Sequence, residues 1–84
     1  MDAPWLVYML RCGDGTLYVG VSNRLQERLA AHRAGRGARY TRGRKPLRLL
    51  YVEHAGTRGE ALSREHAIKR LRRDDKLALA RVRR

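Results

Sequence analysis

The stretch Thr16-Leu-Tyr-Val-Gly-Val-Ser-Asn-Arg-Leu-Gln-Glu-Arg-Leu-Ala-Ala-His-Arg-Ala34 decides how this chain folds. Leu17, Tyr18 and Val19 suit a pleated, half-buried backbone. Gly20 marks a bend, or a point where another group approaches the strand closely. Asn23 stands where a helix N-cap belongs, with Gln26 three residues on in the capping-box position. Leu25, Arg28, Leu29 and His32 then recur at i, i+3, i+4 and i+7, sharing one face of a helix over roughly 23–34. A core explains the two leucines. It does not explain the arginine and histidine beside them, and that face is the first place to look for chemistry.

Upstream, Trp5 to Cys12 is an apolar run of strand length bounded by Pro4 and Gly13. Gly13-Asp14-Gly15 is a strong turn signal, so residues 5–12 and 16–21 are expected to form an antiparallel hairpin. Tyr8 and Tyr18 then stand on adjacent strands, and the register decides whether they share a face. Downstream, Gly35 closes the first helix. Residues 33–48 carry Arg33, Arg36, Arg39, Arg42, Arg44, Lys45 and Arg48, three glycines, Tyr40 and no acid. Flexible backbone with cations and one aromatic is the composition of a loop that tracks phosphates, or of a solvated basic connector.

Leu47 to His54 reads as a third strand, with apolar positions dense enough for a central place in a sheet. Thr57-Arg58-Gly59-Glu60 is a capping box opening a second helix over about 58–72. Ala61, Leu62, Ile68 and Leu71 form its apolar stripe, and Glu65 falls on that stripe. A carboxylate there loses hydration unless a cation or hydrogen bonds replace it, Arg28 being one candidate partner. Asp74 or Asp75 is placed to cap a last helix over about 75–82, with Leu77, Leu79 and Val82 as its apolar residues. Lys69, Arg70, Arg72, Arg73, Lys76, Arg81, Arg83 and Arg84 make a second basic patch, some of it explained by complementing helix dipoles.

Eighty-four residues imply one domain, 1–84, with one modest core. Twenty basic residues stand against eight acidic ones, a formal net charge of +12. Such a field attracts polyanions, and nucleic acid is the expected partner, ahead of an anionic membrane. Seventeen of the cations are arginine, which suits two-pronged phosphate contacts. Cys12, the one cysteine, allows neither an internal disulfide nor a multi-cysteine zinc site. Signal-peptide features are absent from the first residues, and no apolar run reaches membrane-spanning length, so a cytoplasmic location without membrane attachment is expected.

Tyr8, Tyr18, Arg28, His32 and Glu65 are the residues with chemistry to offer. Cleaving a phosphodiester needs an activated oxygen nucleophile, stabilised phosphoryl oxygens and a protonated or coordinated leaving group. Arginine binds the oxygens without exchanging a proton. A lone carboxylate can hold one magnesium or manganese ion that keeps most of its waters and acts as a Lewis acid. A tyrosine can take a proton from water once neighbouring cations lower its pKa, and His32 is an alternative base or a positioning donor. His32, His54 and His66 lack zinc-ligand spacing, and Ser22 and Ser63 have no triad around them.

Taken together these motifs resemble the GIY-YIG nuclease superfamily, and most closely its small single-domain UPF0213 branch. Leu6-Val7-Tyr8 stands where the first signature triplet belongs and Tyr18-Val19-Gly20 where the second does. Arg28 and His32 match in spacing, as do residues 64–69 around the family's metal-binding glutamate, Glu65 here. Gly37-Ala38-Arg39-Tyr40-Thr41-Arg42 is similar to a loop typical of that branch. The resemblance implies an α+β fold, a three-stranded antiparallel sheet flanked by helices, and single-metal phosphodiester hydrolysis dependent on Mg²⁺ or Mn²⁺; with the basic patches, the expected activity is that of an endonuclease on DNA in branched, damaged or single-stranded form. It also implies Tyr18 as the base, Tyr8 as a positioning or alternative base, Arg28 as the phosphate stabiliser and His32 as an orienting group. Arg36, Arg39, Tyr40, Arg42, Arg44, Lys45 and Lys69 are the nucleic-acid-binding candidates. A non-catalytic binding module, and a subunit active only with a protein partner, are the competing readings. The first triplet keeps only its tyrosine, and no asparagine follows Asn23 where larger relatives carry one.

Overall fold

The computed structural model describes residues 3–82, apart from the side chain of Val82. In chain order it contains strands β1 (Trp5–Arg11) and β2 (Leu17–Ser22), helix α1 (Leu25–Arg33), a single 3-10 turn at Arg39–Thr41, strand β3 (Arg48–Gly56), and helices α2 (Arg58–Lys69) and α3 (Arg73–Val82). The β1–β2 connection is the expected tight turn. Asp14 Oδ1 accepts from the Thr16 backbone N–H at 3.1 Å and from the Thr16 hydroxyl at 2.6 Å, while Gly15 supplies the positive φ of 87°.

All three strands form one antiparallel sheet in the order β2-β1-β3. This corrects the expectation for β3, which is an edge strand and not the central one. Apolar density was a poor guide because Tyr51 is the only buried residue of β3, whereas Val7, Tyr8, Met9 and Leu10 are all fully buried on β1. A strand covered on both faces reads as a continuous apolar run, and that is β1. Val7 and Met9 pack with Val19, Tyr51, Ala61, Ile68 and Ala80 on the face covered by α2 and α3. Tyr8 and Leu10 pack with Cys12, Leu29 and Leu47 on the face covered by α1.

The helix boundaries moved in instructive ways. α1 is shorter than 23–34, and Asn23 does not cap it: Arg24 holds the N-cap position without a side-chain cap bond. Ser22, at the end of β2, takes the local role by accepting from the Arg24 N–H at 2.9 Å. The C-terminus is as expected. Gly35, at φ 79°, lets its own N–H reach the His32 carbonyl and the Arg36 N–H reach the Ala31 carbonyl, a Schellman closure.

α2 opens on the predicted capping box, with Thr57 and Glu60 exchanging two bonds of 3.1 Å. It ends at Lys69, short of residue 72, and only Ala61 and Ile68 of its stripe are buried. Leu62 and Leu71 are each 38% exposed. Arg64 ties α2 to β3 through a 2.6 Å bond from Nε to Glu53, which also accepts from the Tyr51 hydroxyl. α3 starts at Arg73, so Asp74 and Asp75 lie within its first turn and complement the dipole instead of capping. Leu77 and Leu79 are half-buried and Ala80 is the buried residue. The apolar role expected of Val82, and the part of the basic patch at Arg83 and Arg84, lie outside the described residues.

Candidate active site at the edge of strand β2

The hairpin register answers the question left by the sequence. Tyr8 faces Gly20 and Leu10 faces Tyr18 across the β1–β2 ladder, so the two tyrosines share the α1 face with ring centroids 6.3 Å apart. The same register explains the glycine. A Cβ at Gly20 would lie 2.6 Å from the Tyr8 hydroxyl oxygen and 3.0 Å from the Tyr18 ring, so the Tyr8 ring needs that bare backbone. Gly20→Ala is therefore expected to lower stability by about 1–3 kcal/mol, as overpacking does, and to impair any activity that uses Tyr8. Thermal denaturation reads the first effect, and an unchanged melting midpoint would contradict the packing described.

α1 brings Leu29 and His32 into the interior and leaves Leu25 and Arg28 half-buried, as its periodicity required. His32 is fully buried. Its Nε2 shares a 2.7 Å hydrogen bond with the Tyr8 hydroxyl, and its Nδ1 a 2.9 Å bond with Thr41 Oγ1. Burial, and then the nearby Arg28 charge, hold the imidazole pKa below its usual value. Tyr8 is also fully buried, and its phenol is pushed up to about 12, mainly by burial and against the opposing influence of Arg28. The neighbouring Tyr8 hydroxyl, and to a lesser degree that of Tyr18, hold the Arg28 guanidinium pKa above its usual value against the effect of partial burial. Tyr18 is only half-buried, its ring 5.3 Å from that of His32.

β2 is an edge strand, and groups from both faces of the sheet meet beside it. A concavity of about 290 Å³ is lined by Leu17, Tyr18, Val19, Tyr40, Lys69 and Lys76. Tyr18 and Tyr40 reach it from the α1 side, and Lys69 and Lys76 come from α2 and α3. Glu65, one turn before Lys69, has a side chain only 17% exposed and pairs with Lys69 at 3.5 Å. The cation that answers this carboxylate is thus Lys69, in place of the Arg28 considered from the sequence. Lys76, which lines the concavity, stood in the sequence only as one cation of a patch.

The basic loop divides in two. Tyr40 is 41% exposed, stacks on Tyr18 with ring centroids 5.9 Å apart at 28°, and has the Arg44 guanidinium over its ring, 4.3 Å from the centroid. Arg44 also pairs with Asp14 of the hairpin turn. Arg36, Arg39, Arg42 and Lys45 are exposed on the same loop. Gly37 and Thr41, by contrast, face inward: a Cβ on Gly37 would lie 2.7 Å from His32 Cγ, and Thr41 is fully buried. Their part in the site was missed because in sequence they read as loop flexibility and loop polarity. A glycine and a threonine fixed inside an otherwise cationic loop were the available signal.

Among the described residues no three His, Cys, Asp or Glu side chains converge as a metal cluster. Glu65, whose partner Lys69 lines the cleft, offers a single hard carboxylate donor. That set suits a magnesium-like ion that keeps several waters and takes substrate phosphate as a further ligand. At 3.5 Å the Lys69 contact is longer than a close charge-assisted bond, so it does not lock the carboxylate.

A family model for the GIY-YIG catalytic domain matches residues 4–78. The chain belongs to the GIY-YIG family. Among its relatives, a UPF0213 protein of Nitratidesulfovibrio vulgaris is 56% identical over 77 residues, covering 92% of this chain and 70% of that protein. Another, from Oceanobacillus iheyensis, is 48% identical over 79 residues, covering 94% and 92%. The solution structure of an E. faecalis protein superposes with a TM-score of 0.66 at 35% identity, over 98% of this chain and 90% of that one. That of a UPF0213 protein from Bacillus halodurans gives 0.59 at 37% identity, over 93% and 83%. The three-stranded α+β architecture and the superfamily expected from the signature triplets are thus those of this GIY-YIG protein.

Proposed function

We propose that this protein is a metal-dependent endonuclease that hydrolyses phosphodiester bonds in DNA. The supporting observation is the cleft beside β2. Its lining brings Tyr18 together with Lys69; Arg28 adjoins the Tyr18 hydroxyl from α1, and Glu65, a side chain 17% exposed, pairs with Lys69. Tyr18 is the base: it borders open space, whereas Tyr8 is fully buried with its pKa at about 12. In the reaction Tyr18 acts as its phenolate: water attacks phosphorus and gives its proton to the Tyr18 oxygen, the bond to the leaving oxygen breaks in line, and the leaving oxygen takes a proton from solvent. Arg28 takes the charge that develops on the non-bridging oxygens. Glu65 would hold the divalent ion, which supplies Lewis-acid polarisation of the phosphate when bound.

The loop supports the substrate class. Arg36, Arg39, Arg42 and Lys45 offer phosphate contacts, and Tyr40, 41% exposed beside Tyr18 and Arg44, offers an aromatic contact to a base that has left its stack. This favours single-stranded or locally opened DNA over an intact duplex, with a place in repair or recombination. Purified protein with Mg²⁺ or Mn²⁺ is expected to cleave a labelled single strand faster than its duplex, and chelation is expected to stop the reaction. Salt-sensitive binding without strand scission in either metal would replace this reading with that of a non-catalytic binding module.

A further inference from the structure

Three hydrogen bonds run in series through the buried side of the site, and their donors can be assigned from chemistry alone. Thr41 Oγ1 lies 2.9 Å from the Ala38 carbonyl oxygen, which can only accept. The single hydroxyl proton of Thr41 is therefore spent on Ala38. The 2.9 Å contact between that hydroxyl and His32 Nδ1 then needs its proton from the ring, so Nδ1 carries N–H. A fully buried imidazole beside Arg28 stays neutral, which leaves Nε2 as a bare lone pair. The Tyr8 hydroxyl, 2.7 Å away, must donate to it.

We infer that Thr41 is a positioning residue: by accepting from Nδ1 it fixes the His32 tautomer, turns the Tyr8 proton inward, and leaves the Tyr8 oxygen lone pairs facing Arg28 and Tyr18. The opposite tautomer would reverse this order. Nε2–H would donate into Tyr8, and the Tyr8 proton would turn toward the guanidinium donors of Arg28, setting donor against donor. Gly37 makes the arrangement sterically possible, since a side chain there would strike the imidazole. The loop that bears the exposed cations is thus also the element that sets proton direction at the phenols. Thr41 closes the 3-10 turn Arg39–Thr41 that also presents Tyr40 to Tyr18.

This inference rests on the hydrolytic reading for its consequence, though not for its test. The imidazole nitrogens of ¹⁵N-labelled full-length protein report the tautomer directly through long-range proton–nitrogen correlation. His32 of the unaltered protein is expected to be neutral with its proton on Nδ1. Thr41→Val, which keeps the shape and removes the acceptor, is expected to mix or invert the tautomer. It is also expected to lower kcat by about 10- to 100-fold with KM for DNA little changed. Thr41→Ser is expected to restore both signals. An Nε2–H tautomer or an imidazolium in the unaltered protein would overturn the inference. So would an unchanged tautomer in Thr41→Val, or a Thr41→Ser that fails as Thr41→Val does. Should Thr41→Val not fold, the unaltered protein and Thr41→Ser still decide the matter. If no form cleaves DNA, the hydrolytic reading falls while the nitrogen spectra continue to judge Thr41.

Discussion

Glu65→Gln is expected to reduce metal-dependent cleavage by about a hundredfold or more, the scale of removing a principal charge stabiliser from an active site, and to leave the fold nearly untouched. Glutamine keeps the volume and the half-buried position on α2 but gives up the charge that attracts a cation. The structural cost is small because the partner lost is Lys69, itself about half exposed and 3.5 Å away. Partly screened pairs of this kind contribute about 0–1 kcal/mol. Activity and melting midpoint should therefore separate widely. DNA binding in chelator should hold or strengthen, since a negative charge has left a cationic cleft. Full activity in Glu65→Gln would remove this carboxylate from the mechanism.

Arg28→Lys is expected to cost about 10²- to 10³-fold in kcat, although it conserves charge. The guanidinium lies against Tyr8 and Tyr18 at once and still has donors for phosphoryl oxygens. An ammonium on a flexible stem is a point charge and cannot serve two phenols and a phosphate in one plane. A second readout separates phosphate contact from phenol contact. A rise in KM for DNA reports lost phosphate contact, whereas a fall in kcat at unchanged KM reports disturbed phenols. An unaltered kcat and KM would show that a positive charge near the phenols is all the site requires.

How much of this was legible in the sequence depends on the range of the interaction. The α1 face was legible because Leu25, Arg28, Leu29 and His32 obey a period of the helix itself. The Thr57–Glu60 box and the Gly35 closure were legible for the same reason: partners lie within a few residues. The Asn23 cap was not borne out, since the helix begins one residue later, with Arg24 at the N-cap and its N–H bonded to Ser22 Oγ. Strand order was not legible, since apolar density on Leu47–His54 says nothing about which strand has a neighbour on each side. Leu62 satisfied the helical period yet stands 38% exposed, and Leu71, equally exposed, lies beyond the end of α2 at Lys69, where that period no longer applies. The site divides along the same line. Tyr8, Tyr18 and Arg28 come together through a hairpin and the helix that follows it. The seating of His32 on Gly37 and Thr41, and the pairing of Glu65 with Lys69 beside Tyr18, depend on surfaces distant in sequence, where pattern offers no register.

The central claim is that a carboxylate from α2 and a phenol from β2 serve one cleft although α2 covers one face of the sheet and the Tyr18 side chain lies on the other. Titrating ¹⁵N-labelled protein with Mn²⁺ in the presence of a non-cleavable single-stranded oligonucleotide tests it directly, through paramagnetic broadening of backbone and side-chain signals. Broadening centred on Glu65 and extending to Tyr18, absent in Glu65→Gln, is the predicted result. Broadening centred on Asp74 and Asp75, or at Glu65 with Tyr18 untouched, would contradict it.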